Sequence, residues 1–124
     1  KRKEKKIKSA FELSEIISNL NIKRKSKINP ATKIFMALRM FINQELENLE
    51  IGLNEAYEVI TRGGKIAIIT FNGLEDKVVK KVFKSLKTKG AVMITKNVIR
   101  PKPKELKENP SARSAKLRVI KKND

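Results

Sequence analysis

Two adjacent carboxylates, Glu75 and Asp76, stand just after the apolar run KIAIITF at 65–71. In open α/β sheets ligands bind beyond the carboxyl ends of the strands, so this is where a site is expected. Acids in the first turn of a helix also favour its dipole and cap it, and the spacing by itself favours that plainer role. Gly63-Gly64 matches neither the G-x-G-x-x-G fingerprint nor the P-loop and reads as a turn. Lys77, Lys80, Lys81, Lys84 and Lys87 fall on a helical repeat, a solvated face that can double as phosphate contacts. Tyr57, Phe35, Phe41 and Phe83 lie on apolar stripes and read as core rather than as base-stacking platforms. The chain has no Cys and no His. A disulfide scaffold, a thiolate zinc site, a cysteine nucleophile and a histidine-based triad are therefore excluded within it. No constellation here is a self-sufficient active site.

The elements that must hold these residues read as follows. Residues 1–8, KRKEKKIK, carry six bases and one acid and form a tail. Ser9 and Glu12 fit the capping box ahead of a short helix bearing Phe11, Leu13, Ile16, Ile17 and Leu20. Residues 21–28 are a basic connector. Asn29-Pro30 opens a second helix to about 43, and a third follows at about 44–60 after a break near Asn43. The 65–71 run has the composition of a parallel strand buried on both faces. Asn72 and Glu75 repeat the capping-box spacing before a helix to about Lys87. A short strand at 91–95, a proline-rich loop with one helical turn, and a closing strand at 112–122 complete the order. Helices alternating with strands indicate an α/β layer fold.

The 124 residues suit a single domain, and no apolar run is long enough to span a membrane. The lysine-rich start lacks a secretion signal's apolar stretch, so a cytoplasmic location is expected, with an organelle as the alternative. The first residue is Lys rather than Met, as expected of a processed product or part of something longer. Lys plus Arg total 30 against 13 acids, net +17. The charge is uneven: +8 over residues 1–33, −4 over 34–76 and +13 over 77–124. AT-rich coding would raise Lys, Ile and Asn together, but it does not produce this asymmetry. Two basic flanks imply a polyanionic partner, with nucleic acid the obvious one.

Three blocks taken together are more specific: INPATKIFMALRMFINQELENLE, ITRGGKIAIITFNGLEDKVVKKVFK and NPSARSAKLRVIK. In order and spacing they resemble the carboxyl-terminal half of the MraW-type methyltransferases, from about Lys23 to Lys122. Residues 9–28 then look like the end of that family's inserted helical domain with its connector, and 29–124 like the carboxyl-terminal half of the methyltransferase domain. The resemblance implies part of a Rossmann-like class I sheet, about three strands and incomplete alone. It also implies transfer of a methyl group from S-adenosylmethionine to the exocyclic amino group of a cytidine in small-subunit rRNA. Pro30, Ala31, Thr32, Phe71, Leu74, Glu75, Asp76, Asn109, Pro110 and Ser114 match family positions without an assigned role. The candidate RNA contacts are Lys23, Arg24, Lys25, Lys27, Arg39, Arg113 and Lys116.

Two departures stand out. Asn29 replaces the histidine of the family's HPAT, and Asn72-Gly73 replaces the His-Ser of FHSLED. The family's cofactor residues lie in its amino-terminal half, so none transfers to this chain. Alone, the chain is expected to bind no cofactor and to be inactive. Its expected partners are small-subunit rRNA or the ribosome, and a missing half, partner chain or second copy along the edge of strand 65–71. The alternative is a shortened, silent relative that acts as a basic RNA- or ribosome-associated protein.

Overall fold

The computed structural model describes residues 6–20 and 29–123. The chain divides into two compact units, 1–44 and 45–124.

The first unit holds two helices packed together, α1 (Ala10–Ser18) and α2 (Pro30–Ile42). The Ser9 hydroxyl accepts the Glu12 N–H at 3.1 Å, which is half of the expected capping box. The reciprocal half is displaced by one residue: the Glu12 carboxylate accepts from the Lys8 N–H at 2.9 Å. Asn29 caps α2 by accepting the Ala31 N–H at 2.9 Å, and Pro30 occupies a first-turn position where no N–H is needed. Ile17, Ala31 and Met40 are buried. Phe35 is half-buried, and Phe41, expected in a core, is 82% exposed. Its helical spacing placed it on a stripe, but the buried positions of α2 are Ala31 and Met40. The break after α2 falls where expected: the Asn43 N–H bonds to the Arg39 carbonyl and Gln44 turns left-handed at φ 51°.

The second unit carries α3 (Glu45–Val59), β1 (Lys65–Thr70), α4 (Gly73–Thr88), β2 (Val92–Met93), α5 (Pro103–Glu108), a 3₁₀ turn (Pro110–Ser114) and β3 (Lys116–Lys121). The strand order is β1-β3-β2, and both pairings are antiparallel. The expected pairing of β1 with the closing strand is present, running from Lys65 opposite Lys121 to Thr70 opposite Lys116.

Three expectations need correction. β1 has no parallel partner among the described residues, and only one of its faces is covered. Strand 91–95 shortens to Val92–Met93, because the Thr95 hydroxyl takes the Val119 N–H at 2.9 Å in place of a backbone carbonyl. The closing strand begins at Lys116 rather than 112. Pro110 starts a 3₁₀ turn that ends with the Ala115 N–H on the Ala112 carbonyl, and only then does the chain extend.

α3 and α4 pack side by side, and α4 covers one face of the sheet. The core joins Leu53 and Tyr57 of α3, Val79, Val82, Phe83 and Leu86 of α4, and Ile120 of β3. Each such side chain contributes roughly 1.5–3 kcal/mol by leaving water. Lys122 fastens the end of β3 to α3. Its ammonium donates to the carbonyls of Tyr57, Glu58 and Ile60 at 2.8–3.0 Å and lies 5.1 Å from the Tyr57 ring centre. A cation there satisfies carbonyls that a helix end leaves free. The Gly63-Gly64 turn lets β1 start beside that point. Gly63 has φ 77°, and a Cβ on Gly64 would lie 2.8 Å from the Thr61 carbonyl oxygen.

Candidate functional site

The β1–α4 turn carries both sequence-predicted carboxylates, and they do different things. Asn72 Oδ1 accepts the N–H groups of Leu74 and Glu75, each at 2.9 Å. Glu75 folds back to accept the Phe71 N–H at 2.8 Å and also bonds the Asn72 amide. Glu75 is therefore a cap, as the spacing favoured. The N–H groups of Phe71, Leu74 and Glu75 are all taken by the turn's own side chains.

Asp76 points inward instead and is 6% exposed. Arg118 of β3 donates to both of its oxygens, at 2.8 and 3.4 Å. Lys116 and Lys80 approach the same carboxylate at 3.7 and 3.6 Å. The Arg118 hydrogen bond holds the Asp76 carboxyl below the usual range. Burial pushes the other way, and the charges of Arg118, Lys116 and Lys80 add to the lowering. One carboxylate thus gathers three cations at the carboxyl end of β1. Thr70, directly opposite Lys116, is buried with its hydroxyl unpartnered.

A second feature lies at the same end of the sheet. Ile69, Leu117, Ile99, Pro101, Arg100 and Glu105 line an open cleft of about 130 Å³. Ile99 is fixed there by two backbone bonds with Leu117, at 2.9 and 3.0 Å. Lys102 and Lys104 border the adjoining depression.

The remaining predicted residues are scattered. Lys23, Arg24, Lys25 and Lys27 lie outside the described residues. Arg39 is in the last turn of α2. Arg113, Ser114 and Asn109 are exposed around the 3₁₀ turn, Phe71 is exposed after β1, and Pro30 and Thr32 open α2. Of the candidate RNA contacts, Lys116 joins the cluster around Asp76. Part of the lysine face of α4 is likewise spoken for, since Lys81 pairs with Glu50 at 2.7 Å, and just past the helix Lys89 pairs with Glu58 at 3.2 Å.

Sequence reasoning missed Arg118. The signal was available, because Arg118 is two residues before Ile120 in a strand and must share its inward face. Among the described residues no cluster of acids could hold a metal ion, and no helix is long and apolar enough to cross a membrane.

Residues 1–123 match the model of the MraW methylase family. The chain belongs to that family. It is 46% identical over 123 residues to the ribosomal RNA small subunit methyltransferase H of Wolbachia pipientis subsp. Culex pipiens (strain wPip), covering 96% of this chain and 42% of that protein. The methyltransferase H of Borrelia turicatae is 47% identical over 121 residues, covering 98% and 41%. That of Coprothermobacter proteolyticus is 41% identical over 122 residues, covering 98% and 40%. The chain thus spans about two fifths of the length of these relatives.

Proposed function

We propose that the chain is the carboxyl-terminal part of an S-adenosylmethionine-dependent methyltransferase acting on the exocyclic amino group of a cytidine in small-subunit rRNA. Its share is to complete a Rossmann-like sheet and to contact the RNA. The observation that carries this reading is β1, an apolar strand at the sheet edge whose outer backbone edge pairs with no described residue. An unpaired edge of this kind is a template for a further strand. In this reading residues 9–28 are the end of the inserted helical region with its connector, 29–124 continue the methyltransferase domain, and the setting is the cytoplasm.

The turn's donor set does not fit S-adenosylmethionine. Its N–H groups are internally satisfied, and a carboxylate, Glu75, already occupies the start of α4. The methyl donor is therefore assigned to the rest of the protein. This chain's contribution is to help align the acceptor, which methyl transfer to an amine chiefly needs.

A second reading, a silent relative that binds RNA or the ribosome, is favoured by Asn29 and by Asn72-Gly73 standing where the family has His and His-Ser. One experiment tests both. The chain is titrated with a structured small-subunit rRNA fragment over a range of salt. If about five phosphates are neutralised, the log–log slope is on the order of −4. Salt-independent binding overturns the RNA contact in either reading. The chain is then mixed with the amino-terminal remainder of a relative and supplied with labelled methyl donor. Methyl incorporation into rRNA supports the enzymatic reading; salt-dependent binding without incorporation supports the silent one.

A further inference from the structure

The β1–α4 turn sets a glycine directly after its capping asparagine, and the backbone does not ask for one. Gly73 lies outside the left-handed region, and a Cβ added there would meet nothing within 4 Å. Glycine in a helix costs backbone entropy, so another residue would serve the fold better. We propose that Asn72-Gly73 is a self-modification site, at which Asn72 passes through a succinimide to aspartate or isoaspartate whenever the turn opens, with the closed cap setting the rate. The proposal stands apart from the RNA reading.

The chemistry needs no reactant besides water. The Gly73 nitrogen attacks Asn72 Cγ. The N–Cγ bond forms, the Cγ–Nδ2 bond breaks, and the amide nitrogen leaves as ammonia, its third proton the one Gly73 gives up. Water then opens the five-membered imide on either side. Breaking the new bond leaves aspartate. Breaking the old peptide bond leaves isoaspartate, with one more carbon in the main chain. Nothing is oxidised or reduced.

The nucleophile is available. Of the ten asparagines in the chain, Asn72 alone precedes glycine, which has no Cβ to obstruct the ring closure. Gly73 is exposed to water. It is the first residue of α4, where the helix itself supplies no acceptor for the N–H.

The electrophile is what the turn controls. Asn72 Oδ1 is held by the N–H groups of Leu74 and Glu75, and Nδ2 by the Glu75 carboxylate. Glu75 is in turn anchored by the Phe71 N–H. Attack on the face of the amide and departure of Nδ2 both require these bonds to let go. Conversion therefore follows the fraction of time the turn is open. Its products change the turn for good. Aspartate keeps the two N–H bonds but loses the donor held by Glu75, and it sets two carboxylates against each other. Isoaspartate lengthens the chain between β1 and α4 and shifts the cap out of register. Either product loosens the joint at the carboxyl end of β1.

The test incubates the full chain at neutral pH and physiological temperature and digests samples with trypsin. Mass spectrometry follows the peptide Ile66–Lys77 for the gain that replaces –NH₂ by –OH, and chromatography separates the aspartyl and isoaspartyl forms. The peptide Met40–Arg62 carries three asparagines, none before glycine, and is the internal control. Asn72 is expected to convert in the folded chain while the control does not, about tenfold slower than in the same chain unfolded in guanidinium. Glu75→Ala should speed conversion in the folded chain about fivefold, the factor that one lost hydrogen bond gives, and leave the unfolded rate unchanged. Glu75→Gln, whose amide oxygen still accepts from Phe71 and Asn72, should keep the parent rate. Gly73→Ala should slow conversion about tenfold in both states, because its Cβ obstructs the attack. No conversion in the folded parent overturns the proposal. Equal rates folded and unfolded, or no acceleration by Glu75→Ala, overturn the control by the cap and the proposal with it.

Discussion

The two faces of the β-sheet are built from the same kinds of residue and meet opposite fates. Ile66, Ile68 and Ile120 face α4, and Ile120 is wholly buried. Ala67, Ile69, Leu117 and Val119 alternate with them on the other face, and Ile69 is 54% exposed. Val92 and Ile99, which pair with β3 residues of that same face, are also exposed. The difference does not lie in the strands. It lies in α4, a single amphipathic helix that can cover one side only. An apolar β-branched run states that both faces want cover; it does not state that both receive it within the same chain.

Ile120→Ala gives the largest expected effect. The side chain is fully enclosed by Leu53, Tyr57 and the α4 residues, so the change removes transfer energy and leaves a cavity. A loss of about 4 kcal/mol is expected, read as a lowered midpoint in urea unfolding of the second unit's signal. A loss below about 1 kcal/mol would mean that the covered face is far looser than its burial implies.

Asp76→Asn comes next and tests the polar end of the covered face. Arg118 and Lys116 would keep their charges in a mostly buried setting without a counterion, at a cost of about 3 kcal/mol. The pH dependence has a definite sign. Because Arg118 lowers the folded-state pKa of Asp76, the pair's stabilisation is fully present above the unfolded value of ~3.9 and is lost as pH falls through the lower folded value. Acid titration of unfolding should show this decline in the parent chain and a flatter limb in Asp76→Asn. An unchanged acid limb would remove Asp76 from the account.

Much of the frame was legible in the sequence because helices announce themselves locally. Ser9, Asn29 and Asn72 all cap where their spacing said, and the break near Asn43 is real. What was not legible depends on partners distant in the chain. Asp76 looked like a second cap beside Glu75, but its partner Arg118 lies forty-two residues on. The contrast between acidic middle and basic flank suggested a free polyanion-binding surface. Part of it is internal instead, since Glu50 and Glu58 of α3 pair with Lys81 of α4 and with Lys89 just past its end. Exposed pairs of this kind add ~0–1 kcal/mol each, so they orient the two helices more than they stabilise them. The cleft was invisible for the same reason. Ile69, Ile99 and Leu117 come from three separate segments, and no spacing rule links them.

Ile69→Ala sharpens the comparison most finely, because it is the same substitution as Ile120→Ala on the opposite face of the same ladder. With more than half of the side chain already in water, the deletion removes little buried surface and creates no enclosed cavity. The expected cost is less than about 1 kcal/mol, several-fold below the Ile120 change. The measurement is the same urea unfolding curve, repeated at two protein concentrations. A second copy seated on the open face would make the parent chain's midpoint rise with concentration, and Ile69→Ala would then cost more at the higher one. A midpoint independent of concentration, with a small Ile69→Ala cost at both, leaves the face open in the free chain. Its apolar surface is then available to whatever the β1 edge and the cleft receive. Equal costs for Ile69→Ala and Ile120→Ala at both concentrations would mean that some part of the chain itself covers the open face, and the contrast between the two faces would fail.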